Sequence, residues 1–305
     1  MNDSDLLVLQ SPFSLATISI GWRASSLGVP YVVIPRGNVV PALGQFRVSR
    51  KPILKWLLFL LFIRRLLSNA AGLVVMSNLE RARWEALANI DRISVIPNPV
   101  VGGSNEKCAR QGDLNPDDGP WRENRPFALF VGRIAHEKGL DLLLKCWPAV
   151  LNCCPRAVLI IAGPVGHRRV YRRLIRMRKR RGLVQSVVFS GWVEGDMKRR
   201  LLERARCVVL PSHTESYGNV VVEALAARTP VLASTGTPWQ DIEDGAGRWL
   251  PRDPKVWGDA IADYLISETK MTVDERTKNR ILASSHTNRV EKLWREAICP
   301  ILAGR

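Results

Sequence analysis

Acidic side chains are scarce in this sequence: 28 aspartates and glutamates face 45 lysines and arginines, a formal net charge of +17 over 305 residues. An imbalance of that size calls for an acidic partner, whether nucleic acid, an anionic membrane surface or a phosphorylated substrate. Long apolar runs are missing too. The longest, Trp56 to Ile63, has eight residues, whereas a helix needs about 20 to cross a bilayer. Its flanks are basic, with Arg47, Arg50, Lys51 and Lys55 before it and Arg64 and Arg65 after it. That is the composition of a helix lying in a membrane interface, although a buried helix between charged ends would share it.

Other absences narrow the chemistry. The six cysteines, Cys108, Cys146, Cys153, Cys154, Cys207 and Cys299, form no CxxC pair and no metal-ligand spacing. Most stand in apolar runs, so the expectation is small buried thiols in a reducing compartment. No strand is followed by GxGxxG, which argues against a dinucleotide oxidoreductase. Asp3-Ser4-Asp5 spells a DxD, a pattern that can hold a metal ion, but it precedes its strand instead of following one. It reads as a solvated strand entry, and no metal is expected. The opening MNDSDLLVLQ lacks the basic start and long apolar core of a signal peptide, so the expected location is the cytoplasm.

What is present is an ordinary globular composition, 46% hydrophobic and 24% charged, in a chain long enough for two cores. Short apolar runs over 6–9, 30–34, 72–76 and 93–96 read as strands. Between them a helix over 12–27 closes at Gly28, and another runs from about 48 to 70. Ser77 caps a third helix, with Glu80 in the capping-box position. Residues 102–125 are rich in Gly, Asn, Asp and Pro without periodicity and read as a linker. Strands then follow over 127–131, 158–162 and 187–189, with helices over 140–151, 168–181 and 197–205. The expected organisation is a partial first domain over 1–101, a second over 126–285, and a carboxy-terminal helix, 286–305, that can pack back on the first. Both domains are α/β and Rossmann-like, the first incomplete with only four strands.

Chemistry concentrates in CVVLPSHTESYGNVVVEALAARTPV, from Cys207 to Val231. Cys207 to Leu210 is a buried parallel strand ended by Pro211. A polar loop follows, Gly218 opens a helix, and Val231 begins the next strand. Ligands bind open α/β sheets at such strand ends. Two carboxylates mark the unit, Glu215 in the loop and Glu223 in the second helical turn. Between them the N–H groups of Gly218, Asn219 and Val220 sit at the positive end of a helix, a site for a phosphate. A phosphate ester rich in hydroxyls suits this set. A plain helix start with two nearby glutamates would look the same.

Taken in order, the segments PRGNV, IPNPV, FVGRIAHEKGLDLLL, the AGP turn, FSGWV, LPSHTESYGNVVVEALA and STGTPWQDIEDGAG resemble those of the retaining glycosyltransferases of family four, which have the GT-B fold of two Rossmann-like domains facing a cleft. The pair Glu215 and Glu223 is similar to the family's E-x7-E motif. Several pieces resemble the transferases that build bacterial surface polysaccharides on lipid carriers or lipid cores. The resemblance implies a nucleotide-sugar donor and a lipid-linked or core glycan acceptor, with no cofactor and no metal. Arg133 and Lys138 would bind the donor diphosphate, Glu215 hydroxyls of the transferred sugar, and Glu223 the ribose; Glu215, Arg133 and Lys138 would form the catalytic set. Gly132, Gly163, Val193, Tyr217, Gly218, Asn219 and Val220 would line the donor, and Arg36 and Gly37 the acceptor side. Two departures stand out. The family's first strand–loop–helix unit, with its Gly-rich loop, has no counterpart before Asp3, so the chain reads as truncated by several tens of residues. Arg36 also stands where many members have His.

Other readings differ in class. A truncated, inactive donor-domain protein could serve as a binding subunit. The helix over 168–181 carries nine Arg or Lys and no acid, enough to attract nucleic-acid phosphates, yet it lacks interleaved aromatics. No nucleic-acid partner is expected. The charge and the basic flanks of Trp56–Ile63 instead favour an anionic membrane surface, with the protein peripheral on the inner face of the cytoplasmic membrane.

Overall fold

The computed structural model describes residues 6–36, 59–87, 90, 92–99, 125–267 and 271–303. Asp3, Asp5, Gly37, the basic segment before Phe59 and nearly all of the linker lie outside the described residues. The chain divides into two compact units, residues 1–99 with 284–305, and residues 100–283.

In the first unit, β1 (Leu7–Gln10), α1 (Leu15–Ser26) and β2 (Tyr31–Ile34) are followed by a π-helical turn, Phe59–Ile63, running into α2 (Arg64–Ser68). Then come β3 (Gly72–Val75), α3 (Asn78–Glu85) and β4 (Ile93–Val95). The strands form one parallel sheet in the order β1-β2-β3-β4. The central runs YVVI and GLVV are buried throughout, as parallel strands covered on both faces must be. At the edge, β1 buries only Leu9. Tyr31, Leu66, Leu73 and Trp84 share the core, where the Tyr31 hydroxyl donates to the Leu66 carbonyl at 2.7 Å.

The second unit runs β5 (Phe127–Val131), α4 (Asp141–Cys153), β6 (Val158–Ala162), α5 (Arg168–Arg180), β7 (Val187–Gly191), α6 (Gly195–Arg204), β8 (Cys207–Leu210), α7 (Asn219–Ala226), β9 (Val231–Ser234) and β10 (Gly247–Leu250). Helices α8 (Pro254–Ile266) and α9 (Glu275–Ser284) follow, and α10 (Thr287–Ala303) belongs to the first unit. Asp253 caps α8, its carboxylate accepting from Lys255 and Val256 N–H, with Pro254 in the first turn where its missing N–H costs nothing. Phe130, Trp147 and Trp257 are fully buried in the core of this unit.

All six strands of this sheet are parallel, in the order β10-β9-β8-β5-β6-β7. From β5 the chain winds outward through β6 and β7, then returns to β8 beside β5 and winds outward the other way. The order therefore reverses at β5 and β8, and a crevice opens beyond their carboxyl ends. The loops there are those following Val131 and Leu210.

One expectation needs correction. Of the five cysteines in the described residues, only Cys146 and Cys207 are buried; Cys153 and Cys299 are exposed, because they fall on outward helical positions. The capping box of α3 is in place: Ser77 Oγ accepts from Glu80 N–H, and the Glu80 carboxylate accepts from Met76 N–H at 2.9 Å. Glu80 is 1% exposed, so Glu80→Ala would strand a buried N–H. It is expected to cost about 1–3 kcal/mol, against about 1 for Ser77→Ala. Urea unfolding of the two variants checks the order.

Candidate functional site

Both loops at the reversal point are built from backbone ties. After β5, Gly132 N–H bonds Ala162 O at 2.9 Å and Ile134 N–H bonds Pro164 O at 2.9 Å, which turns the chain into a short 3-10 helix, His136–Lys138. After β8, His213 N–H bonds Glu137 O at 2.8 Å and Glu215 N–H bonds Gly236 O at 3.3 Å. Ser234 Oγ donates to Ser212 O. The ties bring together side chains 77 positions apart: Lys138 Nζ forms an ion pair with Glu215 Oε1. Ser212 Oγ donates to the same oxygen at 2.9 Å. The two charged side chains are 17% and 11% exposed, so removing either partner leaves the other poorly solvated.

Beyond Glu215 the loop closes on Gly218, whose φ of +89° is reached readily only by glycine. The first intrahelical bond of α7 is Val221 N–H to Gly218 O at 3.0 Å, so the Gly218, Asn219 and Val220 N–H groups precede the ladder at the positive helix end. Trp239 fixes this turn. Its indole N–H donates to Tyr217 O, and its ring lies 5.0 Å from the buried Tyr217 ring. One turn into α7, Glu223 pairs with Lys198 of α6 at 2.7 Å. Each glutamate of the E-x7-E pair thus has its own lysine.

The remaining expected residues are placed less uniformly. Arg133 and Lys138 do not converge: Arg133 is two-thirds exposed and pairs with Glu137 at 3.4 Å, one helical turn along, while Lys138 turns to Glu215. Val193 and Val220 are buried. Gly163, at a φ of +142°, lies against β5 so closely that a Cβ there would overlap the Gly132 carbonyl. That close approach by itself requires glycine at this position. Arg36 belongs to the first unit, where its Nε donates to Gln10 Oε1 at 2.8 Å. Among the described residues no three His, Cys, Asp or Glu side chains are grouped so as to hold a metal ion.

Sequence reasoning missed Lys198, Ser212, Trp239 and a polar cluster beside the ion pair. In that cluster Arg252 Nη2 lies 3.2 Å from His213 Nε2, and the His136 ring stacks on His213 at 5.5 Å. Asp141 takes Lys145 at 2.9 Å. Burial raises the Asp141 carboxyl, but Lys145, Arg252 and His213 outweigh it and hold it below its ordinary value. Burial, then Arg252, push His213 down to about 4, with His136 and Lys145 adding to the effect and Asp141 opposing it. At neutral pH His213 is therefore an uncharged acceptor for Arg252.

Solved structures with this architecture define the class. The Anabaena protein HepE, crystallised with UDP and glucose, superposes with a TM-score of 0.74 over 98% of this chain and 79% of its own, at 18% identity. The shared architecture is the GT-B fold. Sequence supplies the family. Residues 125–267 match the family described as glycosyl transferases group 1, and residues 2–99 match the glycosyl transferase 4-like domain. The chain belongs to the family-four type of glycosyltransferases. An uncharacterized glycosyltransferase of Methanocaldococcus jannaschii is 34% identical over 51% of this chain and 42% of that protein. The gpi3 subunit of the Schizosaccharomyces pombe phosphatidylinositol N-acetylglucosaminyltransferase is 28% identical over 72% of this chain and 47% of its own. The matched part spans less than half the length of each of these two relatives.

Two outcomes follow from the geometry. Lys138→Ala should destabilise the protein by about 2 kcal/mol, below the ~3–5 for a fully buried pair; Lys138→Ala with Glu215→Gln should recover part of that, as read by denaturant unfolding. His213 is neutral in the fold but takes a proton in the unfolded chain below its ordinary value of 6.5. Its contribution is fully present above that pH and is lost as pH falls to about 4. Discounted for solvent screening, it amounts to about 2 kcal/mol. His213→Gln should flatten the stability profile across that interval.

Proposed function

We propose that this chain transfers a sugar from a nucleotide-sugar donor to a lipid-linked or core glycan acceptor, with retention of configuration, in cell-surface polysaccharide synthesis. The observation that carries the reading is the Lys138–Glu215 pair at the strand-order reversal, beside the start of α7. It sets a cation, a carboxylate and a helix N-terminus within one loop system.

The donor diphosphate lies against the N–H groups of Gly218, Asn219 and Val220, with Lys138 reaching it and Arg133 turning in from its exposed position. As the bond from the anomeric carbon to the phosphate oxygen breaks, its electron pair leaves with the diphosphate. These donors stabilise the charge that develops there, without a metal. The acceptor hydroxyl attacks from the same face, and its proton passes to the departing phosphate oxygen. Glu215 holds hydroxyls of the transferred sugar, and Glu223, steadied by Lys198, holds the ribose. HepE, solved with UDP and glucose, supports a nucleotide-sugar donor, and the gpi3 relative supports a lipid-borne acceptor.

The reaction takes place on the inner face of the cytoplasmic membrane. Support comes from the net charge of +17 and from the basic flanks of the apolar segment 56–63. Among the described residues no helix is long and apolar enough to cross a membrane.

The roles of the two glutamates separate in kinetics. Glu223→Gln should mainly raise the donor KM, because a ribose contact is common to ground and transition states. Glu215→Gln should mainly lower kcat, by roughly 10–100-fold, because it positions the reacting sugar. EDTA should leave turnover unchanged. Retained nucleotide binding without turnover of any nucleotide sugar would point to a docking subunit instead.

A further inference from the structure

Charged helices in this protein neutralise themselves. Arg81 pairs with Glu85, Lys145 with Asp141, Arg199 with Asp196 and Glu203, and Arg295 with Glu291, all three or four positions apart. Helix α5 is not arranged this way. Arg168, Arg169, Arg172, Arg173, Arg176 and Lys179 are all exposed, and among the described residues none of the six is placed in an ion pair. Like charges four apart, as in Arg168 with Arg172 and Arg169 with Arg173, work against the helix. So do cations in a first turn that holds no acid, since they face the positive dipole end. The fold holds this repelling face in place by its other side: Leu174 is buried, and Val170, Tyr171 and Met177 pack on the core. Among the described residues no carboxylate is paired with the six cations of this outward face, which is left suited to an anionic partner.

The shape of the face narrows the partner. Thirteen helical residues form a straight row about 20 Å long. Val165, just before the row, is 45% exposed and Val184, just after it, 44%. The only aromatic ring of the helix, Tyr171, is turned inward, edge-on to Phe189 at 5.5 Å, so there is no platform for stacking bases. A charged row with an exposed aliphatic residue beyond each end suits a flat layer of anionic headgroups over acyl chains. We propose that the outward face of α5 docks on an anionic lipid bilayer. This rests on the membrane reading given above but assigns the contact to a different segment from the one around residues 47–65.

The test is co-sedimentation with phosphatidylglycerol–phosphatidylcholine vesicles and with pure phosphatidylcholine. It compares the full chain, the variant R169Q/R172Q/R173Q/R176Q, and the matched variant R47Q/R50Q/K51Q/K55Q. At about fivefold per basic residue near an anionic surface, the α5 variant, which loses four, should bind roughly 600-fold more weakly at low salt. Wild-type binding should fall as salt rises, and pure phosphatidylcholine should bind little. Removing like charges from a self-repelling helix favours folding, and circular dichroism with nucleotide binding verifies that the variant is intact. If the α5 variant binds like wild type while the 47–55 variant does not, the α5 assignment is overturned and the membrane reading stands. If neither variant loses binding, the α5 assignment is overturned; if wild type ignores lipid charge, the membrane reading falls with it, while nucleotide-sugar turnover remains a separate measurement. If single-stranded RNA binds more tightly than vesicles and loses affinity in the α5 variant, the face belongs to nucleic acid and the proposal is wrong.

Discussion

The candidate site depends on one electrostatic fact, that Lys138 and Glu215 neutralise each other where water is scarce. Neither charge could be kept there alone without a large desolvation cost. The pair is possible because the strand order reverses at β5 and β8, setting two loops from distant parts of the chain edge to edge. Backbone hydrogen bonds from His213 and Glu215 then fix their register. Ser212, Ser234 and Trp239 tighten the same arrangement from behind. In effect the fold spends its strongest local order on the few residues where charge must be carried.

Much of this was legible in the sequence, for a physical reason. The strands 127–131 and 158–162 are fully apolar runs, and parallel strands buried on both faces have few other ways to be written. Gly28 and Gly218 marked their turns because positive φ leaves little choice of residue. Ser77 with Glu80 announced the start of a helix. What could not be read was anything that depends on side-chain direction across the fold. Lys198 meets Glu223 from a helix of unremarkable charge. Arg252 reaches His213 from 39 residues away. Strand β10, GRWL, was overlooked because an edge strand with a half-exposed pattern carries a weak signal. The different surroundings of Arg133 and Lys138 were also hidden, because the backbone turn between them leaves one exposed and sends the other to Glu215.

The distribution of charge has its own logic. In the site, lysines are matched singly to carboxylates; on α5, cations gather unmatched over a rigid apolar base. Salt acts on the two populations differently, because exposed charges are screened beyond about 8 Å at physiological ionic strength and buried pairs much less. Raising salt should therefore change the surroundings of the α5 cations long before it disturbs Lys138 and Lys198.

Gly163 carries a lesson for comparing relatives. Its missing side chain is demanded by the Gly132 carbonyl pressed against it. A glycine required by an internal collision and a glycine that lets a ligand approach the backbone look identical in a sequence. Any side chain here would have to displace a strand end before it met a ligand, so the position reports how two neighbouring strands fit, whatever else it does.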